Sequence, residues 1–220
     1  MQCYLCHATA LSSQLCFDCY RDLPWNQHAC SRCATPLAST YDHICGQCIN
    51  KPPAYDSANC PLLYLTPINP LMLRYKAGDE VCGRFLSQQF ADLAPVTRAP
   101  LLYVPMHMSA LRQRGFNQSY YFAKTLSRQW QLEINDVLIC PVAHHSQKGL
   151  NAAQRRRNLA NSFAIKPGLK LPKTVNLVDD VMTTGATVEA LSRLLKNHGV
   201  ESVHVICLAR TPPSGMVPAI

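Results

Sequence analysis

The chain has 220 residues, 48% of them hydrophobic, with twelve cysteines and a formal net charge of +8. That length holds one ordinary domain plus a small one, and no apolar run approaches the ~18 residues of a membrane span. The N-terminal MQCYLCHATALSSQLC has no basic stretch ahead of an apolar core, so no export signal and a cytoplasmic location are expected. There, cysteines bind metal or pack as thiols rather than form disulfides.

Residues 1–50 carry four CxxC pairs: Cys3/Cys6, Cys16/Cys19, Cys30/Cys33 and Cys45/Cys48. A CxxC turn sets two thiolates on one edge of a metal, and two such turns complete a tetrahedral shell. The segment has too few large apolar residues to fold unaided, so metal would supply most of its folding energy. Sequential pairing, with Cys3, Cys6, Cys16 and Cys19 on one Zn²⁺ and Cys30, Cys33, Cys45 and Cys48 on a second, closes the shorter loops. Interleaved pairing and a single metal stay open. Cys3–His7 also fits a haem-attachment pattern, which the missing export signal disfavours. With every thiolate used in a closed shell, the zinc is structural, and His7, His28 and His43 are read as surface residues. Asn50–Ser57, with two prolines, suits a domain junction. Cys60, Cys82, Cys140 and Cys207 lie in apolar settings as buried thiols.

Beyond the junction, Leu71–Tyr75 leads through Lys76-Ala77-Gly78-Asp79 to a helical pattern at Cys82, Phe85, Leu86, Phe90 and Leu93. Strands are expected near 101–105 and 137–142, with a helix between them over Tyr120, Ala123, Leu126 and Trp130, capped by Asn117. Arg112 and Arg114 beside Gly115 form a candidate anion site, since guanidinium groups bind phosphate bidentately. From Pro105 to Pro172 there are ten Lys or Arg (Arg112, Arg114, Lys124, Arg128, Lys148, Arg155, Arg156, Arg157, Lys166 and Lys170) against Glu133 and Asp136. A polyanionic ligand accounts for that field, and so does a solvated basic face. The polar His144–Asn161 segment, with Gly149 as a hinge, suits a flap over a ligand. His144 and His145 are read as solvated loop residues.

Val175–Thr187 reads VNLVDDVMTTGAT: a strand, two acids, a Gly/Thr turn, then a helix with Val188, Leu191, Leu194 and Leu195 on one face. The free N–H groups of such a turn and the helix dipole favour an anion. Thr183, Thr184 and Thr187 add hydroxyls, and Gly185 permits a positive φ. Asp179 and Asp180 would repel a bare phosphate but suit a sugar diol beside one, so the pattern describes a ribose-5-phosphate. The helix stops at His198-Gly199, Ser202–Leu208 is the last strand, and residues 212–220 form a tail.

The VDDVMTTGAT stretch resembles the 5-phosphoribosyl-1-pyrophosphate (PRPP) fingerprint of type I phosphoribosyltransferases. With the CxxC turns, LRYKAGD, VPMHMSALRQRGFNQ and the flap residues Gln147, Leu150, Arg155 and Asn158, the whole chain resembles the ComF/GntX family. The resemblance implies an α/β fold: a phosphoribosyltransferase-like, mainly parallel sheet flanked by helices over residues 55–211, behind a double zinc ribbon over residues 1–54. It places the ribose hydroxyls on Asp179 and Asp180 and the 5′-phosphate on Thr183, Thr184, Gly185, Ala186 and Thr187. Pyrophosphate falls to Arg112, Arg114 and Lys76, with Mg²⁺ bridging. The family's strand end usually reads VPVP, whereas here it is Val104-Pro105-Met106-His107. The family also implies a role in competence or in DNA use as a nutrient, with single-stranded DNA and uptake proteins as partners. Phe116, Tyr120, Tyr121 and Trp130 are candidate stacking rings or core residues. Transfer of a phosphoribosyl group to a nucleobase or amine is the alternative activity.

Overall fold

The computed structural model describes residues 2–10, 14–39, 41–142, 161–213 and 215. Its centre is a parallel sheet in which β6 (Thr174–Met182) lies between β3 (Leu101–Tyr103) and β7 (Ser202–Arg210). The far edge of β7 is built from two short pieces, β1 (Ser57–Asn59) and β2 (Leu62–Leu63), both parallel to it. Pro61, which has no N–H to give to a ladder, separates the two pieces.

The expected strand at 137–142 does not join this sheet. Leu101 N donates to Glu133 O at 3.0 Å, and Asn135 N donates to Leu101 O at 2.8 Å, so residues 133–135 close the β3 edge first. Only β4 (Leu138–Ile139) is extended, pairing antiparallel with β5 (Ala164–Ile165) in a two-stranded sheet.

Alternate side chains of the parallel strands point to opposite faces, and both faces are covered. On one, α3 (Ile68–Lys76), α4 (Glu80–Leu93) and α6 (Gln118–Trp130) bring Met72, Phe85, Phe90, Phe122 and Leu126 onto Leu101, Val178, Ile206 and Leu208. On the other, α7 (Ala186–Asn197) sets Val188, Leu191 and Leu195 over Leu102, Leu177, Val203 and Val205. Each such side chain contributes about 1.5–3 kcal/mol by leaving water.

The cysteine-rich part straddles the sheet. Cys3, Leu15 and Leu23 join the α4 side, where Tyr4 stacks on Phe85 with ring centroids 4.2 Å apart and its hydroxyl lies 2.9 Å from Cys82 Sγ. Cys30, Cys33, Ala34 and Cys48 join the α7 side with Tyr55. Between them the chain crosses at the β2 edge. Leu63 N donates to Pro24 O at 2.7 Å, and Asn26 Nδ2 donates to Ala34 O at 2.9 Å and Cys60 O at 3.0 Å. Cys60, Cys82, Cys140 and Cys207 are all buried, as expected.

Candidate functional site

β6 extends to Met182, so Asp179 and Asp180 are its own residues, at the carboxyl end of the sheet where parallel folds bind ligands. Asp179 Oδ1 accepts from Ser119 Oγ at 2.8 Å and from Asp180 N at 2.9 Å. Asp180 Oδ1 accepts from Val181 N at 2.6 Å, and its Oδ2 lies 2.7 Å from Lys76 Nζ. Burial, and then the neighbouring Asp180 charge, push the Asp179 carboxyl up to about 7, against the Ser119 hydrogen bond and Lys76. The acids are not sealed in: both line a groove of about 380 Å³ with Lys76, Arg114, Gln118 and Thr187.

The turn after β6 forms as expected. Gly185 caps α7 at φ 78°, a left-handed conformation that L side chains avoid. A Cβ there would lie 2.9 Å from Met182 Cε and 3.4 Å from the Tyr55 hydroxyl oxygen. Thr183 and Thr184 are exposed, and Thr184 Oγ1 accepts from Ala186 N at 3.3 Å.

The opposite wall comes from the RGFNQS segment. It follows α5 (Met108–Arg114); His107 caps this helix through Nδ1, which accepts from Ser109 N at 3.1 Å, and Gly115 closes it at φ 85°. Asn117 Oδ1 caps α6 by accepting from Ser119 N at 3.0 Å, while its Nδ2 donates to Val104 O at 3.0 Å, tying the helix start to the end of β3. Ser119, one turn in, thereby faces Asp179. Arg114 Nη1 donates to Gln118 Oε1 at 2.8 Å. Gln118 is 1% exposed, and among the described residues its buried Nε2 has no acceptor. A buried donor left over at a groove wall is a place for a ligand oxygen.

Arg114, Lys76, Asp179, Asp180 and Thr187 therefore meet around one groove; Thr183, Thr184, Gly185 and Ala186 continue from its Thr187 side, and Arg112 stands outside its lining, exposed on α5. Sequence reading did not single out Ser119 or Gln118. The signal for Ser119 was its position two residues after a predicted cap. His144, His145, Gln147, Gly149, Leu150, Arg155–Arg157 and Asn158, and with them nearly all of the expected flap, lie outside the described residues. A second groove of about 620 Å³ adjoins the first through Pro105, Met106 and Asn117. It is lined by Tyr103, Phe116, Tyr120, Tyr121, Met106 and Met108. Lys124 Nζ stands 5.9 Å and 6.0 Å from the Tyr120 and Tyr121 ring centres. Trp130 is away from it, packed against the core.

The cysteines assemble as two clusters, Cys3/Cys6/Cys16/Cys19 and Cys30/Cys33/Cys45/Cys48, the sequential pairing. Within each, the four sulfurs lie within 4.8 Å of one another. Cys6 and Cys16 sulfurs are 3.5 Å apart and Cys33 and Cys45 sulfurs 3.6 Å, near the roughly 3.8 Å edge that four Zn–S bonds of about 2.3 Å imply. All eight are free thiols, and Cys45 N donates to Cys30 Sγ at 3.3 Å. The donor set fits two closed structural zinc sites. At the groove, Asp179 and Asp180 offer hard oxygen donors, the ligand type of Mg²⁺ shared with a phosphate.

Two sequence families and several known proteins resemble this chain. Residues 117–219 match the phosphoribosyl transferase domain family and residues 1–49 the double zinc ribbon domain family. The DNA utilization protein YhgH of Shigella flexneri is 30% identical over 228 residues, covering 95% of this chain and 96% of that protein. Competence protein F of Haemophilus influenzae is 31% identical over 208 residues, covering 89% and 90%. The adenine phosphoribosyltransferase structure from Thermoanaerobacter pseudethanolicus overlays 65% of this chain and 85% of its own at 16% identity, with a TM-score of 0.39. Among the described residues, no helix is long and apolar enough to cross a membrane.

Proposed function

We propose, for a chain that belongs to the ComF/GntX family, that it binds PRPP at the carboxyl end of β6 and serves the uptake or use of DNA. The observation that carries this reading is the meeting of Asp179, Asp180, Lys76, Arg114 and Thr187 around one groove beside a turn built for an anion. Asp179 and Asp180 accept hydrogen bonds from the ribose hydroxyls. Thr183, Thr184 and Thr187, with the backbone amides of residues 183–186, hold the 5′-phosphate. Arg114 and Gln118 Nε2 face the pyrophosphate, and Arg112 adds to the field over it. Lys76, expected at the pyrophosphate, holds Asp180 in place in the ligand-free protein. Mg²⁺, when bound, offsets the charge between the carboxylates and the pyrophosphate oxygens.

The second groove supports the DNA part of the reading. Open rings of Tyr120 and Tyr121 under a lysine suit stacked bases of a single strand, at about 1–3 kcal/mol per base. Because the grooves meet at Pro105 and Met106, a base in one lies next to a ribose in the other. That contiguity also favours phosphoribosyl transfer to a nucleobase as a second reading, tested by pyrophosphate release from PRPP.

Titration calorimetry with Mg²⁺–PRPP tests the first claim. Wild type binds and the Asp179→Ala/Asp180→Ala double variant does not; equal affinities would sink it. An oligonucleotide titration in 50 and 200 mM salt tests the second, with affinity falling steeply as salt rises. A Tyr120→Ala/Tyr121→Ala variant should lose the oligonucleotide and keep PRPP.

A further inference from the structure

Arg210, the last residue of β7, is 8% exposed, and among the described residues it pairs with no carboxylate. Its donors go to neutral oxygens on two sides. Nη1 donates to Met182 O at 2.8 Å, to Thr183 O and to Thr211 O at 3.1 Å. Nε donates to Cys33 O and Nη2 to Thr35 Oγ1, both at 3.1 Å. One guanidinium thus joins the second cysteine cluster to the turn that follows β6. Burying a charge without a counter-charge is costly, and these five bonds are its compensation.

The geometry says what the bonds do to the turn. A trans peptide unit is planar, with its N–H pointing opposite to its C=O, and the single cis bond among the described residues is Thr66–Pro67. With the carbonyls of Met182 and Thr183 turned onto Arg210, the amides of Thr183 and Thr184 must face away from it. Both threonines are exposed. On the same face Tyr55 is buried against the Gly185 turn, and Glu189 of α7 accepts from Ala54 N at 2.7 Å. Among the described residues the first cluster has no such link: it contacts α4 through Tyr4 on the other face of the sheet.

We propose that Arg210 is a positioning residue that aims the amides of the phosphate turn outward, and that this aim depends on the metal in the second cluster. The proposal deepens the PRPP reading and rests on it for the ligand. Cys33 is itself a metal ligand in the closed shell, so loss of zinc there frees the Cys33 carbonyl and the adjacent Thr35 hydroxyl. The guanidinium then loses the bonds that fix its far edge, and the Thr183 carbonyl loses its fixed donor, while the Met182 carbonyl keeps Thr211 N at 3.0 Å. Lysine at this position could keep a cation on the turn carbonyls but could not span to Thr35, because it lacks the planar fork.

The test uses the full zinc-loaded chain and the variants Arg210→Met, Arg210→Lys, Thr35→Val, Cys45→Ser and Cys16→Ser. It reads zinc per chain, the amide NMR resonances of residues 183–187 against those of β3 and α6, and PRPP affinity with Mg²⁺. Arg210→Met and Cys45→Ser should shift or broaden the turn resonances while those of β3 and α6 stay in place, and weaken PRPP at least about fivefold. Arg210→Lys should recover part of the loss, and Thr35→Val, the mildest change, should move both readouts in the same direction with zinc retained. Cys45→Ser should weaken PRPP at least about fivefold more than Cys16→Ser. Unmoved turn resonances in both Arg210→Lys and Thr35→Val, or equal effects of the two cysteine variants, would overturn the proposal. If wild type fails to bind PRPP, the functional reading falls, and the turn resonances alone decide the coupling.

Discussion

Asp179 offers a prediction with a definite sign. Its carboxyl is pushed from 3.8 to about 7, first by burial and then by the Asp180 charge. Lys76 and the Ser119 hydroxyl pull the other way, and Cys207, its register partner on β7, stays a neutral thiol because its pKa is raised. A carboxyl that holds its proton more tightly folded than unfolded adds stability that is complete below pH 4 and disappears as pH rises through 7. At 1.36 kcal/mol per unit, the full effect is on the order of 4 kcal/mol, roughly half of it lost between pH 3.8 and 5.5 and roughly half between pH 5.5 and 7. Urea unfolding of the ligand-free, zinc-loaded protein at pH 5.5 and 8 measures the second half. Asp179→Asn should already be the more stable protein at pH 5.5, and its lead over wild type should grow by about 2 kcal/mol at pH 8, while it loses PRPP. The difference between the two proteins is the readout, since zinc ligation carries its own pH dependence in both. Asp79, held down to about 2 by its bonds to Cys82 N and Arg74, titrates below this window. PRPP affinity in wild type should move oppositely, rising through pH 7 as the carboxylate forms. A pH-independent difference, or an Asp179→Asn protein less stable at pH 8, would refute the reasoning.

Three further outcomes follow from the same geometry. Ser119→Ala removes a hydrogen bond to the charged form of Asp179, so the midpoint of the PRPP pH profile should move to higher pH and folding should weaken by about 1 kcal/mol. Gly185→Ala forces a Cβ into the left-handed region, at about 1–2 kcal/mol, and against Met182 Cε; differential scanning calorimetry should register the loss and calorimetric titration a weaker PRPP site. Stripping zinc with a chelator at neutral pH should lower the urea midpoint strongly, because on the order of 10 kcal/mol per ion is available to folding. Readdition of zinc should restore it.

What could be read in the sequence was whatever a local pattern fixes. Spacing made each CxxC turn a two-thiol edge and favoured the sequential pairing through its shorter loops, while interleaved pairing stayed open until the fold brought the clusters together. The strand–acids–turn–helix unit was legible because a doubly buried strand is continuously apolar and a left-handed cap selects glycine. The fate of 137–142 was not legible: its apolar residues suit a buried strand, but residues 133–135 had already occupied the β3 edge, a competition between distant segments. Likewise Ser57–Leu63 carries no strand pattern and becomes an edge only because β7 offers a ladder. α5 is too short for periodicity to show. Ser119 and Arg210 matter through partners 60 and 177 residues away, and no window along the chain contains both ends.

The placement of the two ribbons has a physical reason beyond metal storage. β7 would otherwise present an edge covered by only five residues, β1 and β2, and an open parallel edge invites pairing with another chain. The Pro24–Asn26 crossing covers that edge with backbone and amide bonds, and a ribbon on either face anchors the crossing. The first anchors through Tyr4 on Phe85 and the second through Arg210, Tyr55 and Glu189. Metal energy, delivered at two small closed shells, is thereby spread to both faces of the sheet. The face that also carries the glycine turn after β6 is the one held by a charged side chain, whose donors cannot be satisfied by nonpolar packing.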